Sequence, residues 1–348
     1  MTMKVIAITL GDPAGIGPEI IAKAYRTEPE LMRHCFVAGD VQAMRRAAAV
    51  DAGAARLALP VAHISEPQQV LNVPPNCIPV LQVGAALEPV ALGVVSKAAG
   101  EFAGRCVVWA ADAALRAEVC AVVTAPLHKE ALSAAGAPYD AYPGHTEMLQ
   151  ARAAQYLSKS VVDVPVRMML ANDELRTVLV SIHVSLRDAI EAVTFDNVLQ
   201  TLRITHAALS RVLGRVPRIA VAGLNPHAGE GGLFGREELE VIAPAIEAAR
   251  ALGCTVSGPW APDTVFMRAR KLPGQPSEFD VVVAMYHDQG LIPVKYMGVE
   301  KGVNVTLGLP LVRTSPDHGT AFDIAGKGIA DPSSLIQAVR MARQLTTS

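Results

Sequence analysis

Residues 281–290 have the sequence Val281-Val282-Val283-Ala284-Met285-Tyr286-His287-Asp288-Gln289-Gly290, an unbroken apolar run that leads into a histidine and a polar turn. Two other runs in the chain have the same form: His183 directly follows residues 178–182, and His227 comes shortly after residues 219–224. Runs of this length, without alternation and rich in valine and isoleucine, are typical of buried parallel strands. We therefore predict an α/β fold with a largely parallel sheet, in which each of the three histidines lies just beyond a strand.

The three histidines are predicted to share one edge of the sheet. In open α/β sheets, ligands bind outside the carboxyl ends of the strands. A single histidine at such a place is more often a hydrogen-bonded structural residue, and the gaps between these three are too long for a local metal motif. Taken together, however, three imidazoles at equivalent strand ends indicate a divalent metal with open coordination positions. The sequence thus favours an enzyme.

Composition excludes several other classes of protein. The chain has 348 residues and a formal net charge of -2, so it has no basic excess for nucleic acid or for an anionic membrane. Hydrophobic residues make up 51% and aromatic residues only 4%, which suits helices packed on a parallel sheet. The five cysteines are scattered and never form a Cys-x-x-Cys pair, which is typical of a reducing compartment. Without a signal peptide or a long uninterrupted apolar stretch, the expected location is the cytoplasm.

Strand-like runs alternate with helical patterns along the whole chain, which also predicts α/β architecture. The pattern predicts a strand at 4–10 followed by a loop at 11–17, and a hairpin formed by 166–170 and 177–182. The longer predicted helices are 93–117, 195–213, 236–252 and 333–344. No linker divides the chain cleanly. We expect two intertwined domains: a cofactor-side domain at 1–135 plus 290–348, and a metal-binding and dimerisation domain at 136–289.

Two glycine-rich segments stand out as ligand loops. Gly11-Asp12-Pro13-Ala14-Gly15-Ile16-Gly17-Pro18-Glu19 lies between a predicted strand and helix, where glycines allow close backbone approach and a helix N-terminus favours an anion. It lacks Gly-x-Gly-x-x-Gly, so it is not a dinucleotide fingerprint, and on its residues alone it could be a tight structural turn. His318-Gly319-Thr320-Ala321-Phe322-Asp323-Ile324-Ala325-Gly326-Lys327-Gly328 is the second segment.

The second segment resembles the adenosine-binding loop of the isopropylmalate and isocitrate dehydrogenases, with Phe322 where those enzymes usually carry proline. The resemblance implies that His318, Gly319 and Asp323 bind the cofactor, with Asp323 accepting hydrogen bonds from the adenosine ribose hydroxyls. A carboxylate at that point repels a 2′-phosphate, so NAD is expected, with NADP possible.

Almost the whole chain resembles the 4-hydroxythreonine-4-phosphate dehydrogenase family of pyridoxal phosphate biosynthesis. The matching blocks are Gly11–Glu19, residues 124–129, 143–147, 225–230, 285–290, 302–306 and 308–315. The resemblance implies a two-domain α/β/α sandwich of the isocitrate/isopropylmalate dehydrogenase-like type, with the active-site cleft between the domains. It also implies a homodimer whose subunits share the active site.

The same resemblance assigns roles to individual residues. It implies that His183, His227 and His287 hold one divalent metal per subunit (Zn, Co, Mg, Mn or Ni), with ligands drawn from two subunits. It implies that substrate is bound by His145, Thr146, Lys295, Asn304 and Arg313. The residue types agree, because a phosphorylated hydroxy acid requires cations and hydrogen-bond donors.

The expected reaction is oxidation of a secondary hydroxyl, with hydride transfer to NAD, followed by decarboxylation of the resulting β-keto acid. Asp288 or Lys295 is expected to take the hydroxyl proton. Asp288 could instead orient the neighbouring imidazole or cap the next turn.

Three alternatives remain open from the sequence. Residues 182–187, 262–265, 292–295 and 321–324 look more like relatives that oxidise four-carbon sugar-acid phosphates such as threonate or erythronate 4-phosphate. A further relative oxidises a cis-dihydrodiol carboxylate derived from terephthalate, although His145, Thr146, Asn304 and Arg313 favour a phosphorylated substrate. The alternative from another class is a non-catalytic metal- or nucleotide-binding protein.

Overall fold

The computed structural model describes residues 4–54, 56–272, 274–298 and 301–346. These residues form β-strands that are numbered here in chain order: β1 (Ile6–Thr9), β2 (Cys35–Gly39), β3 (Val61–Ile64), β4 (Ile78–Gln82), β5 (Ala121–Thr124), β6 (Arg167–Ala171), β7 (Arg176–Leu179), β8 (Arg218–Ala222), β9 (Thr255–Trp260), β10 (Val281–Ala284), β11 (Val303–Leu307) and β12 (Arg313–Pro316).

The α-helices, also in chain order, are α1 (Gly17–Thr27), α2 (Val41–Ala52), α3 (Lys97–Leu115), α4 (Lys129–Ala134), α5 (His145–Tyr156), α6 (Leu186–Glu191), α7 (Phe195–Leu213), α8 (Ala243–Ala251), α9 (Val265–Ala269), α10 (His287–Tyr296) and α11 (Ser333–Thr346). None of the helices in the described ranges is long and apolar enough to cross a membrane.

The chain divides into two compact units. The first comprises the residues up to Pro165 together with Leu309–Thr346, and the second comprises Val166–Gly308. The boundaries expected from the sequence, at 135 and 290, lie earlier in the chain than the divisions after Pro165 and Gly308. The difference arises from two helices, α5 and α10, which lie between the expected and the observed divisions or across the expected one. Helix α5 packs against α3 within the first unit, and α10 packs against β7 and β10 within the second.

The first unit is built on a parallel sheet with the strand order β3-β4-β2-β1-β5-β12. Strand β1 is central, with Ile6 paired to Cys35 on one side and to Ala121 on the other. The four residues of β1 are all buried, which explains why the predicted strand shows no alternation. The strand order reverses between β1 and β5, and ligands bind at such a point in open α/β sheets.

The second unit has the strand order β11-β6-β7-β10-β8-β9. Strands β7, β10, β8 and β9 are parallel, while β11, β6 and β7 pair in antiparallel fashion. The predicted hairpin is β6–β7, and the Asn172 side chain forms its turn by accepting hydrogen bonds from the backbone N–H groups of Glu174 and Leu175. The predicted α/β class with a largely parallel sheet is therefore confirmed.

Two predicted helices differ from the structure, one in where it begins and the other in its internal geometry. The helix expected at 93–117 begins only at Lys97, because Gly93 has a φ of 72° and Ser96 caps the helix by accepting from the Ala99 N–H. The helix expected at 236–252 contains a π-helical turn at Glu238–Ile242, and α8 follows that turn. Such π-turns are frequent at functional sites.

Candidate functional site

Two of the three predicted metal ligands lie side by side in the second unit. The rings of His183 and His287 have their centroids 5.7 Å apart and are tilted by 43°. His287 is the first residue of α10, directly beyond β10. The segment after β7 runs beside that strand end, since the Val180 N–H donates to the Ala284 carbonyl and the Ser181 hydroxyl donates to the Met285 carbonyl.

Asp288 fixes the orientation of the His287 ring. Its Oδ1 lies 2.7 Å from His287 Nδ1. A carboxylate at this position accepts from the imidazole tautomer that carries its proton on Nδ1, and that tautomer leaves the Nε2 lone pair for a metal. An open cavity of about 440 Å³ adjoins the pair and is lined by Ser181, Ile182, His183, Val184, Leu186, Ala189, Tyr286, His287 and Asp288.

His227 lies on an exposed turn beyond β8. The backbone from His227 to Gly231 is left-handed at every residue, with φ between 43° and 78°. Three of these residues, His227, Ala228 and Glu230, are not glycine, and each pays about 1–2 kcal/mol for this conformation. Among the residues that the structure describes, no three His, Cys, Asp or Glu side chains come together closely enough to hold a metal. One copy of the chain therefore pairs His183 with His287 and does not add His227.

In the first unit, His145 and Thr146 begin helix α5. The preceding Gly144 has no side chain to cap the helix, so its first backbone N–H groups receive no side-chain cap from that position. The Nε2 atom of His145 is buried and has no hydrogen-bond partner among the described residues. Burial and the nearby Arg313 guanidinium hold the pKa of His145 well below its ordinary value, so this imidazole is neutral at pH 7.

Arg313 is a buried cation at the same edge. It is the first residue of β12 and only 3% exposed. Its Nε and one terminal nitrogen donate to the Thr124 hydroxyl at 3.1 and 2.8 Å. Burial lowers the pKa of Arg313 to about 10, with Glu147 opposing the shift, so the guanidinium stays charged at pH 7. A desolvated guanidinium beside a helix N-terminus is a suitable partner for a phosphate or carboxylate.

The remaining predicted substrate residues, Lys295 and Asn304, lie in the second unit. Lys295 is in the last turn of α10 and half-buried. It lies eight positions after His287 in the helix, about 12 Å along the axis. Asn304 lies in β11, and its Oδ1 is buried without a hydrogen-bond partner among the described residues. An orphaned buried oxygen is costly, which makes Asn304 a reasonable ligand contact.

The two glycine-rich loops pack against each other in the first unit. The Ile16 N–H donates to the Thr320 carbonyl at 3.0 Å. A Cβ on Gly15 would lie 2.9 Å from the Thr320 Cβ, so this close approach requires glycine. His318 Nδ1 donates to the Gly319 carbonyl, while its Nε2 is buried and unpartnered within the described chain. Asp323 is exposed in the middle of this loop.

Phe322, the departure from the related dehydrogenases, has a defined place in the structure. Its ring stacks on His128 with centroids 4.5 Å apart and planes inclined by 21°. The phenylalanine thus covers one face of a histidine that follows β5, which a proline ring could not do to the same extent. This contact explains how the loop tolerates the change.

The sequence-based reasoning gave no role to Asp12 and His128. Asp12 is fully buried, and its Oδ1 accepts from the Ala14 N–H while its Oδ2 has no partner among the described residues. Burial raises the pKa of Asp12, although its hydrogen bond to Ala14 and the nearby His128 oppose the shift. His128 Nδ1 and the Thr9 hydroxyl at the end of β1 are also buried and unpartnered there. Both residues lie shortly after a strand and within blocks that carry the family resemblance, Gly11–Glu19 and residues 124–129.

The likeness to known proteins extends over nearly the whole chain. A family model described as pyridoxal phosphate biosynthetic protein PdxA matches residues 31–342. The 4-hydroxythreonine-4-phosphate dehydrogenase of Beijerinckia indica is 53% identical over 345 residues, which cover 98% of this chain and 94% of that protein. The D-threonate 4-phosphate dehydrogenase of Pectobacterium atrosepticum is 44% identical over 349 residues, which cover 98% and 99%.

A solved structure agrees. The crystal structure of 4-hydroxythreonine-4-phosphate dehydrogenase from Klebsiella pneumoniae matches with a TM-score of 0.86 at 40% identity, covering 100% of this chain and 99% of that one. The family predicted from the sequence blocks is thereby confirmed, and the chain belongs to the pyridoxal phosphate biosynthetic protein PdxA family.

Proposed function

We propose that this chain is a metal- and NAD-dependent dehydrogenase that oxidises a phosphorylated 3-hydroxy acid and then decarboxylates it, with 4-hydroxythreonine 4-phosphate as the substrate. The observation that carries the proposal is the pair of His183 and His287 at the sheet edge, with Asp288 hydrogen-bonded to His287. Two adjacent imidazoles, one of them oriented by a carboxylate, have the chemistry of a catalytic metal site.

The donor set fits a borderline divalent metal such as zinc, cobalt, nickel or manganese better than magnesium, which prefers oxygen ligands. When bound, such a metal lowers the pKa of the substrate hydroxyl and stabilises the negative charge that develops during decarboxylation. His227 is the third ligand in this proposal. We assign the complete set to a homodimer, in which the ligands are drawn from both subunits.

Exposed apolar side chains support the homodimer. Val184 and Leu186, next to His183, are 54% and 61% exposed. Leu233 and Phe234, close to His227 in the chain, are 73% and 49% exposed. Large exposed apolar side chains grouped together mark protein–protein contact surfaces. Because these groups flank the histidines, a second copy covering them would also reach the metal ligands.

The substrate phosphate is assigned to the first unit. The N–H groups at the start of α5 and the buried Arg313 offer donors and a positive charge to one anion, and the neutral His145 adds its unpartnered Nε2. Lys295 and Asn304 are assigned to the carboxylate and hydroxyl end of the substrate. Asp288 is engaged with His287, so we assign it to orienting that ring and assign acceptance of the hydroxyl proton to Lys295.

NAD, which accepts the hydride, is assigned to the paired glycine-rich loops. His318 and Gly319 lie in the loop that contacts Ile16, and the exposed Asp323 carboxylate is available to the ribose hydroxyls. The same carboxylate would repel the 2′-phosphate of NADP, so NAD is expected to be the better cofactor.

A second candidate substrate is D-threonate 4-phosphate, because the Pectobacterium relative is named for it. The two compounds share the phosphate and the oxidisable hydroxyl, so Arg313 and the histidines suit both. The unphosphorylated cis-dihydrodiol carboxylate is less favoured, since it would leave Arg313 without its phosphate.

A substrate comparison tests the proposal. The metal-loaded protein is incubated with NAD and each of the three compounds, and both NADH formation and carbon dioxide release are followed. We expect the highest kcat/KM, together with stoichiometric carbon dioxide, for 4-hydroxythreonine 4-phosphate. A higher kcat/KM for D-threonate 4-phosphate would replace the first candidate by the second. Tight binding of NAD and metal without turnover of any compound would favour a non-catalytic binding protein instead.

A further inference from the structure

Gln289 connects the strand end that carries His287 to the strand end that leads to His227. Its Oε1 accepts from the Met285 N–H at 2.7 Å, and its Nε2 donates to the Gly223 carbonyl at 2.8 Å. Met285 directly follows β10, and Gly223 directly follows β8. One side chain thus holds the start of α10 against the end of the neighbouring strand.

Glu238 holds the segment between Gly223 and the His227 turn. It is 2% exposed and belongs to the π-helical turn. Its Oε1 accepts from the N–H groups of Leu224 and Asn225, each at 2.7 Å, and its Oε2 accepts from Asn225 Nδ2 at 2.9 Å. A buried carboxylate with three donors from one short segment fixes the path of that segment.

The left-handed turn is wound around the same carboxylate. A Cβ on Gly229, whose φ is 78°, would lie 2.8 Å from Glu238 Oε2. A Cβ on Gly223 would lie 3.0 Å from Glu238 Oε1 and 2.9 Å from the Ala228 Cα. The glycines leave space for the carboxylate inside the turn. Glu238 thus holds residues 224–225 directly before the turn and packs against Gly229 within it, which restricts the conformations open to the strained His227.

We propose that Glu238 and Gln289 are positioning residues for the metal ligands: Glu238 sets the turn that presents His227 to the site completed by the partner subunit, and Gln289 holds the start of α10, which carries His287, against the strand end that leads to that turn. The inference rests on the proposed function, since it takes His227 as a metal ligand. Neither side chain is a ligand in this proposal. Outer hydrogen-bond partners of this kind typically change metal affinity 10–100-fold when they are replaced.

The test uses Co²⁺ alone as the probe. Metal-free full-length protein is titrated with Co²⁺, and the visible ligand-field absorption gives both affinity and coordination geometry. The variants are Glu238→Gln, which replaces by an amide NH2 one of the two oxygens that accept hydrogen bonds from residues 224–225, and Gln289→Glu, which places a carboxylate against the Gly223 carbonyl. The control is Glu240→Gln, which removes a carboxylate from the same π-helical turn at an exposed position paired with Arg236.

We expect Glu238→Gln and Gln289→Glu to weaken Co²⁺ binding by about 10–100-fold and to alter the absorption bands, with Glu240→Gln within twofold of the wild type. A purely structural role would lower the thermal midpoint and leave the Co²⁺ affinity of the folded protein unchanged, which would overturn the inference. Should Glu238→Gln fail to fold, Gln289→Glu decides the question in the same way. Absence of Co²⁺ binding by the wild type would instead refute the proposed function.

Discussion

Replacing Arg313 by lysine tests the assignment of the phosphate. The guanidinium is 3% exposed, and its Nε and one terminal nitrogen both donate to the Thr124 hydroxyl, so it is held in a fixed orientation. Lysine keeps the charge but cannot make the paired hydrogen bonds of the planar guanidinium. A hydrogen bond to a charged group contributes about 1.5–3 kcal/mol. Losing one of them predicts a fall in kcat/KM of about 10- to 150-fold.

The assay compares initial rates on the phosphorylated substrate and on the same compound without its phosphate. The loss should be confined to the phosphorylated compound, with the other changing by less than about threefold. Arg152→Lys is the matched control, because Arg152 also makes paired hydrogen bonds in this unit, to Asp112, and has no role in the proposal. Equal losses on both compounds, or no loss on the phosphorylated one, would show that Arg313 does not bind the phosphate.

Three further predictions concern the metal, the cofactor and pH. Exhaustive chelation should abolish turnover, and added Co²⁺ or Zn²⁺ should restore it; full activity after chelation would contradict the metal site. In a second experiment, His287→Ala should lower the metal content that elemental analysis finds after dialysis. Asp323→Ser should raise the KM for NAD by about 10-fold, because a charge-assisted hydrogen bond to the ribose is lost, and should narrow the preference for NAD over NADP, because the charge that repels the 2′-phosphate is lost. An unchanged ratio of kcat/KM with NAD to kcat/KM with NADP would refute the role of Asp323. The pKa of His145 is lower in the folded than in the unfolded chain, so the unfolded chain takes up a proton first as the pH falls. The contribution of His145 to the free energy of unfolding is therefore fully present above about pH 6.5 and decreases below it by up to about 1.4 kcal/mol per pH unit. Urea unfolding of His145→Gln should lack this part of the slope, and an identical pH dependence would refute it.

The parts of the fold that the sequence predicts depend on local patterns. Unalternating apolar runs mark β8 and β10 because both faces of these strands are buried. The position of His287 follows from the same pattern, since a parallel strand must deliver the next polar residue to its carboxyl edge. The side-by-side placement of His183 and His287 depends in addition on β7 and β10 being neighbours in the sheet, which the sequence does not indicate.

The parts that could not be predicted depend on contacts between distant residues. Nothing near Phe322 in the sequence indicates that its ring stacks on His128. The three orphaned polar atoms of Thr9, Asp12 and His128 are recognised only when burial is known. The left-handed turn at His227 is set by Glu238, which looks like one more polar residue of a surface helix in the sequence. The conformational propensities of residues 227–231 indicate that such a turn is unfavourable, but they do not identify the distant side chain that stabilises it.

The two units carry different parts of the proposed chemistry. The first holds the anion site at Arg313 and the glycine-rich loops, and the second holds the histidines with their supporting side chains. Each set is fixed by hydrogen bonds within its own unit, such as Arg313 to Thr124 and Gln289 to Gly223. Changes at the two places should therefore separate in binding experiments with the single components. Arg313→Lys should leave Co²⁺ affinity within twofold of the wild type, and Gln289→Glu should leave NAD affinity within twofold, because energies of groups without shared partners add. Weakening of both ligands by either change would mean that metal, anion and cofactor sites are coupled through the fold, and that the assignment of one role to each unit is wrong.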